Sequence, residues 1–156
     1  YGPLQDIPDS AFDRIMETNI RSNHWLCQMV LPHMATVGGG SAMIVSSVGG
    51  LIAGGTLGAY GISKAADMSM ARALAFEWGP KNVRINAIVP GLVKTDFARA
   101  LWEDPERLKG VNTRVPLRRI GEPDEIAGIA VYLASPAGAY TTGTSIVVDG
   151  GTTIAN

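Results

Sequence analysis

Ser46-Ser47-Val48-Gly49-Gly50-Leu51-Ile52-Ala53-Gly54-Gly55-Thr56-Leu57-Gly58-Ala59-Tyr60-Gly61-Ile62-Ser63-Lys64 is the stretch around which the chain is organised. It leaves the apolar run Ala42 to Val45, crosses a glycine-rich loop and enters an alanine-rich segment, the pattern of strand, loop and helix. A strand therefore delivers Ser47, and a helix delivers Tyr60 and Lys64. Four residues apart, Tyr60 and Lys64 share a helix face and lie within mutual reach. A free phenol is a poor acid or base at neutral pH, but an ammonium beside it favours the phenolate. The spacing thus points to a tyrosine that gives a proton to a carbonyl oxygen or takes one from an alcohol, with Ser47 placed to hydrogen-bond the same oxygen.

Upstream, Asp9-Ser10-Ala11-Phe12-Asp13 has the form of a helix start, with Ser10 and Asp13 at capping-box spacing. Phe12, Ile15, Met16, Ile20, Leu26, Met29 and Val30 follow at roughly helical spacing and predict one long helix over 9–35, with Pro32 kinking or ending its last turn. Asn19 falls on the inward stripe with Ile15 and Met16, so its amide needs a partner, either backbone or an internal water. Gly38-Gly39-Gly40 turns the chain into a strand over 41–46.

Downstream, the alanine-rich helix is expected over 57–78, stopped by Gly79-Pro80. A strand follows over 83–89, where Val83, Ile85, Ala87 and Val89 alternate with Arg84, Asn86 and Ile88. Residues 92–118 carry Phe97, Leu101 and Trp102 among charges, with a helix start at Asp104-Pro105-Glu106 and no sustained period. They predict either a lid with short helices or an ordinary surface insertion. Pro123 opens another helix, and 145–148 is a last strand before the Asp149-Gly150-Gly151 turn. Alternating strands and helices imply an α/β fold, with parallel strands covered on both faces.

Composition narrows the function. Hydrophobic residues make up 46%, the formal charge is −1, and neither a basic excess for nucleic acid nor an apolar run of the roughly 20 residues needed to cross a bilayer is present. Neither a nucleic-acid nor a membrane partner is expected. Cys27, the single cysteine, cannot form an internal disulfide; a buried, inert thiol and a cytoplasmic setting are the expectation. His24 and His33 have no carboxylate or cysteine at ligand spacing, so no metal site is expected. For Arg118-Arg119 a solvated or capping role is favoured over attraction of an acidic ligand.

Ser47 thirteen residues before Tyr60, the Tyr-x-x-x-Lys pair, the glycine-rich loop between, and the run Asn86-Ala87-Ile88-Val89-Pro90-Gly91-Leu92-Val93-Lys94-Thr95 together resemble the compact short-chain dehydrogenase/reductase family over nearly the whole chain. The resemblance implies a doubly wound Rossmann-like sheet and a catalytic set of Asn19, Ser47, Tyr60 and Lys64, with Asn19 holding a water that passes protons to the lysine. It places Tyr60 and Lys64 at the cofactor ribose, and Pro90, Gly91, Val93 and Thr95 around the nicotinamide and the nearby phosphate. Phe97, Leu101 and Trp102 then become substrate-lid candidates.

A Gly-x-Gly-x-x-Gly turn between strand and helix is not found in residues 1–156. By resemblance the chain is therefore expected to be a single, truncated Rossmann-type domain, the C-terminal part without the N-terminal dinucleotide-binding half. The NAD or NADP selector lies in that half, and the cofactor is either. The implied activity is interconversion of a secondary alcohol and a carbonyl, the segment 91–102 resembling carbonyl reductases of the family. The implied assembly is a homo-oligomer, dimer or tetramer, through the two long helices. Two other readings follow from the same residues, an inactive binding or assembly subunit and an isomerase or dehydratase relative.

Overall fold

A computed structural model describes residues 2–155; Tyr1 and Asn156, the ends of the expected domain, lie outside the described residues. Three parallel strands form one sheet in the order β1 (Gly40–Val45), β2 (Val83–Pro90), β3 (Ser145–Val148). β2 is central, with Gly40 to Val45 paired in register with Val83 to Ile88, and Ala87 to Pro90 paired with Ser145 to Val148. Of β2's residues only Arg84 and Pro90 are not buried, because both of its faces are covered.

The alternation foreseen in β2 separates those faces. Val83, Ile85, Ala87 and Val89 join Ile44 of β1, Leu31 of α2 (Ser22–Thr36), and Met68, Ala71 and Ala75 of α3 (Gly58–Trp78) in one core. Alanines at 71 and 75 let α3 lie close to the sheet. On the opposite face Ser41 and Arg84, partners across the ladder, both donate to the Leu133 carbonyl of α6 (Pro123–Ala134), at 2.8 and 2.6 Å. Helices thus cover both sides, as an α/β fold requires.

The first long helix differs from its sequence pattern. α1 (Asp9–Met16) starts behind Pro8, with no side-chain cap from Ser10. One turn of π-helix, Glu17–Arg21, then joins it to α2, which runs through Pro32 to Thr36. Such a turn inserts a residue into the helical ladder, a local change that apolar spacing does not reveal. The end of α3 differs as well. Gly79 stays right-handed, a 3-10 turn covers Gly79–Lys81, and the left-handed position falls to Asn82, with φ 59°. At the chain start, Gly2 bridges Leu57 and a 3-10 turn spans Leu4–Asp6.

Beyond β2 the chain makes an excursion containing α4 (Arg99–Trp102) and α5 (Pro105–Asn112). Val93 bridges Gly121 at its neck, where the Lys94 amide donates to the Gly121 carbonyl and the Gly121 amide to that of Leu92, both at 2.9 Å. The Leu117 amide donates to Gly150, tying the excursion to the turn after β3.

Candidate active site

The carboxyl end of β1 brings Ser46 and Ser47 against the first turns of α3. Ser46, buried, donates to the Lys64 carbonyl at 2.7 Å. The loop between strand and helix can approach only because it is glycine. A Cβ on Gly61 would stand 2.6 Å from the Gly49 carbonyl oxygen, and one on Gly50 would stand 2.6 Å from the Ala65 amide nitrogen. Ser47 Oγ accepts the Gly49 amide at 3.1 Å, which leaves its hydroxyl proton to donate elsewhere. Beside Gly49, one point lies 3.5 Å from Ser47 Oγ and 3.4 Å from Tyr60 Cε1. Ser47 and the Tyr60 ring are therefore both neighbours of Gly49.

Lys64 Nζ lies 5.8 Å from the Tyr60 ring centroid. It donates to the Val45 carbonyl at 2.9 Å and to Asp67 Oδ2 at 3.0 Å, so two of its three N–H groups are engaged. Asp67 is fully buried, and Asn23 Nδ2 donates to its other oxygen at 2.9 Å. Asn19 sits within the π turn, where Nδ2 donates to Ser63 Oγ at 2.9 Å and Ser63 passes a bond to the Tyr60 carbonyl at 2.7 Å. Asn19's carbonyl accepts the second N–H of Asn23 at 2.8 Å. A partner of its amide is thus a side chain of α3.

Ser63, Asp67 and Asn23 did not enter the sequence reading. A signal was present for two of them, since Asp67 follows Lys64 by three residues and Asn23 follows Asn19 by four, each on its neighbour's helix face.

Pro90 and Gly91 end β2 on the same edge of the sheet, with the Gly91 amide bonded to the Val148 carbonyl at 3.0 Å. Val93 lies in the neck of the excursion and Thr95 just beyond it. Trp102 is folded back, Nε1 donating to the Thr95 carbonyl at 2.9 Å with Lys94 over its ring. Leu101 is half-buried and Phe97 is 81% exposed. Among the described residues no hydrogen bond joins Phe97, Leu101 or Trp102 to Ser47, Tyr60 or Lys64.

Two carboxylates frame the supports of this edge. Burial works against the charge of Asp149, but the amides of Thr153 and Gly151, at 2.7 and 2.8 Å, with the Thr153 hydroxyl and the Thr152 amide, outweigh it and hold the group below its ordinary range. Glu125 is held at about 2 by the Arg119 guanidinium, which grips both its oxygens at 2.6 Å, and by the Glu122 amide. Arg119 thus serves the helix start, the capping role expected of it. Burial raises the Cys27 thiol, in keeping with an inert group. No cluster of metal-ligating side chains occurs among the described residues, and no described helix is long and apolar enough to cross a membrane.

A parallel sheet wrapped on both faces, with serine, tyrosine and lysine gathered at the carboxyl ends of its strands, is the Rossmann-like arrangement in which nucleotides bind. A family model described as enoyl-(acyl carrier protein) reductase matches residues 1–153. Dehydrogenase/reductase SDR family member 4 from Bos taurus is 41% identical over 151 residues, covering 97% of this chain and 54% of that protein. Among solved structures, a gluconate 5-dehydrogenase from Burkholderia cenocepacia in complex with NADP and tartrate superposes with a TM-score of 0.96 at 29% identity, covering 99% of this chain and 61% of that one. A 7α-hydroxysteroid dehydrogenase complexed with NADH and 7-oxo glycochenodeoxycholic acid gives 0.90 at 35% identity, covering 96% and 58%. The chain belongs to the short-chain dehydrogenase/reductase family. It spans about half the length of the curated relatives it matches.

Proposed function

We infer that this chain carries the catalytic end of an NAD(P)-dependent oxidoreductase that interconverts a secondary alcohol and a ketone or other carbonyl compound. The observation that carries the reading is that Ser47 Oγ and the Tyr60 ring both neighbour Gly49, with Lys64 Nζ 5.8 Å from that ring. The donor set suits a nicotinamide nucleotide: a lysine with an N–H to give, a tyrosine hydroxyl, and the chain from Pro90 to Thr95 leaving the carboxyl end of the central strand. When bound, that nucleotide supplies or accepts the hydride.

The chain's own residues do the rest. Ser47 donates to the substrate oxygen and polarises it. Tyr60 gives that oxygen a proton in reduction or takes one in oxidation. Lys64 holds the ribose beside the phenol, and Asn19 fixes the first turns of α3 through Ser63. Pro90, Gly91, Val93 and Thr95 line the nicotinamide side, and residues 92–118 form the substrate lid, with Phe97, Leu101 and Trp102 presented to substrate when it closes. Relatives in complex with NADP and with NADH support either nucleotide.

Exposed Trp25, Leu26 and Met29 on α2 and Phe76 on α3 support a homo-oligomer, and the lone, raised Cys27 thiol suits a cytoplasmic setting. The test is absorbance of reduced nicotinamide in the full-length chain with panels of secondary alcohols and ketones. Turnover of one such pair with NAD or NADP is expected. A folded chain that binds nucleotide and turns over none of them would favour the inactive binding subunit instead.

A further inference from the structure

A carboxylate with no exposure lies inside the helix that carries the tyrosine and lysine. Asp67 has 0% exposure, and its two oxygens have different partners: Lys64 Nζ at 3.0 Å and Asn23 Nδ2 at 2.9 Å. A buried carboxylate survives only with an opposite charge and with its remaining lone pairs occupied. Lys64 supplies the charge, and it is the one cation within ion-pair distance of Asp67 among the described residues. The pairing acts on Lys64 as much as on Asp67.

The ammonium has three N–H groups and a flexible four-carbon stem. Val45 on β1 takes one of those groups and Asp67 on α3 another, and the side chain is left 13% exposed. Asn23 is equally constrained, because both N–H groups of its amide are used, on Asn19's carbonyl and on Asp67. A continuous line of bonds therefore runs from the π turn through Asn23 and Asp67 to Lys64. We propose that Asp67, steadied by Asn23, is a positioning residue that clamps the Lys64 ammonium between helix and strand, so that its third N–H faces the site. The proposal rests on the reading of Lys64 as a catalytic group.

The experiment uses the full-length chain and Asp67→Asn, which keeps the volume and removes the charge. The Lys64 side chain is only 13% exposed while it is clamped, so a lysine released from its carboxylate is more accessible to an acylating reagent and reacts faster. Competitive acetylation by acetic anhydride, read by mass spectrometry of the Lys64 peptide at fixed pH, is expected to rise at least 10-fold in the variant. Turnover is expected to fall at least 10-fold with KM for the carbonyl or alcohol changed less than 3-fold. Parent-level acetylation of Lys64 would overturn the proposal, and so would faster acetylation with unchanged turnover. If Asp67→Asn does not fold, Lys64→Met is added to it: folding regained supports the pairing, and folding lost in both overturns it. The acetylation needs no catalysis, so a failure of the oxidoreductase reading shows in turnover of the parent chain and leaves the pairing test standing.

Discussion

Asp149 holds the turn after β3 by accepting the amides of Gly151 and Thr153, and Glu125 holds the start of α6 through Arg119 and the Glu122 amide. Both carboxylates are held below their ordinary values, Glu125 at about 2. A group whose folded value is depressed contributes stability above its unfolded value, near 4 for these residues, and loses it as pH falls through the folded value. Urea midpoints should therefore drop as pH falls from about 5 towards 2, and Asp149→Asn should flatten that dependence while lowering the midpoint at pH 7. An unchanged acid slope in the variant would contradict the role given to Asp149. Single residues were also where sequence reading reached least far. Tyr60 and Lys64 stood out because of their setting, with Ser47 thirteen residues ahead, a glycine-rich loop between and the run from Asn86 to Thr95 beyond, whereas Asp67 reads as one polar position in a polar-flecked helix until its burial is seen.

The element that decides the site is the junction of the glycine loop with α3. Gly61 faces the Gly49 carbonyl with no room for a Cβ, while the space around Gly128 on α6 is open. Alanine gains about 1 kcal/mol over glycine in a helix interior, but a forced contact with backbone costs about 1–3 kcal/mol. Gly128→Ala is thus expected to raise the urea midpoint. Gly61→Ala should lower it and reduce turnover by displacing Ser47. Equal effects of the two substitutions would show that the loop does not depend on the close approach. The strands and the longer helices were legible because their periods are plain: β3 falls on 145–148 as expected, and α3 starts one residue late, at Gly58. The π turn at Glu17–Arg21 and the left-handed Asn82 were not legible, since both arise from how helix ends and helix ladders settle against neighbours, which leaves no mark on apolar spacing.

At the scale of the whole molecule, α2 and α3 leave large apolar side chains in the open, Met29 65% and Phe76 88% exposed. Exposed apolar side chains of this size favour association with a second copy, and sedimentation at micromolar concentration should give a dimer or tetramer of the full-length chain. A stable monomer would contradict that assembly. Fold class was readable from the order of elements alone, because only parallel strands with helical crossovers fit it. The mechanism we propose is a division of labour, in which Tyr60 moves the proton while the lysine, the strand ends and the excursion hold the reactants. Turnover by Tyr60→Phe in the full-length chain, with nucleotide binding measured alongside by calorimetry, tests that division most directly. Removing the phenol oxygen should lower kcat by about 10²-fold or more, the scale of lost general acid–base catalysis, and leave nucleotide affinity within a few-fold. Near-parental turnover by a phenylalanine in that position would contradict it.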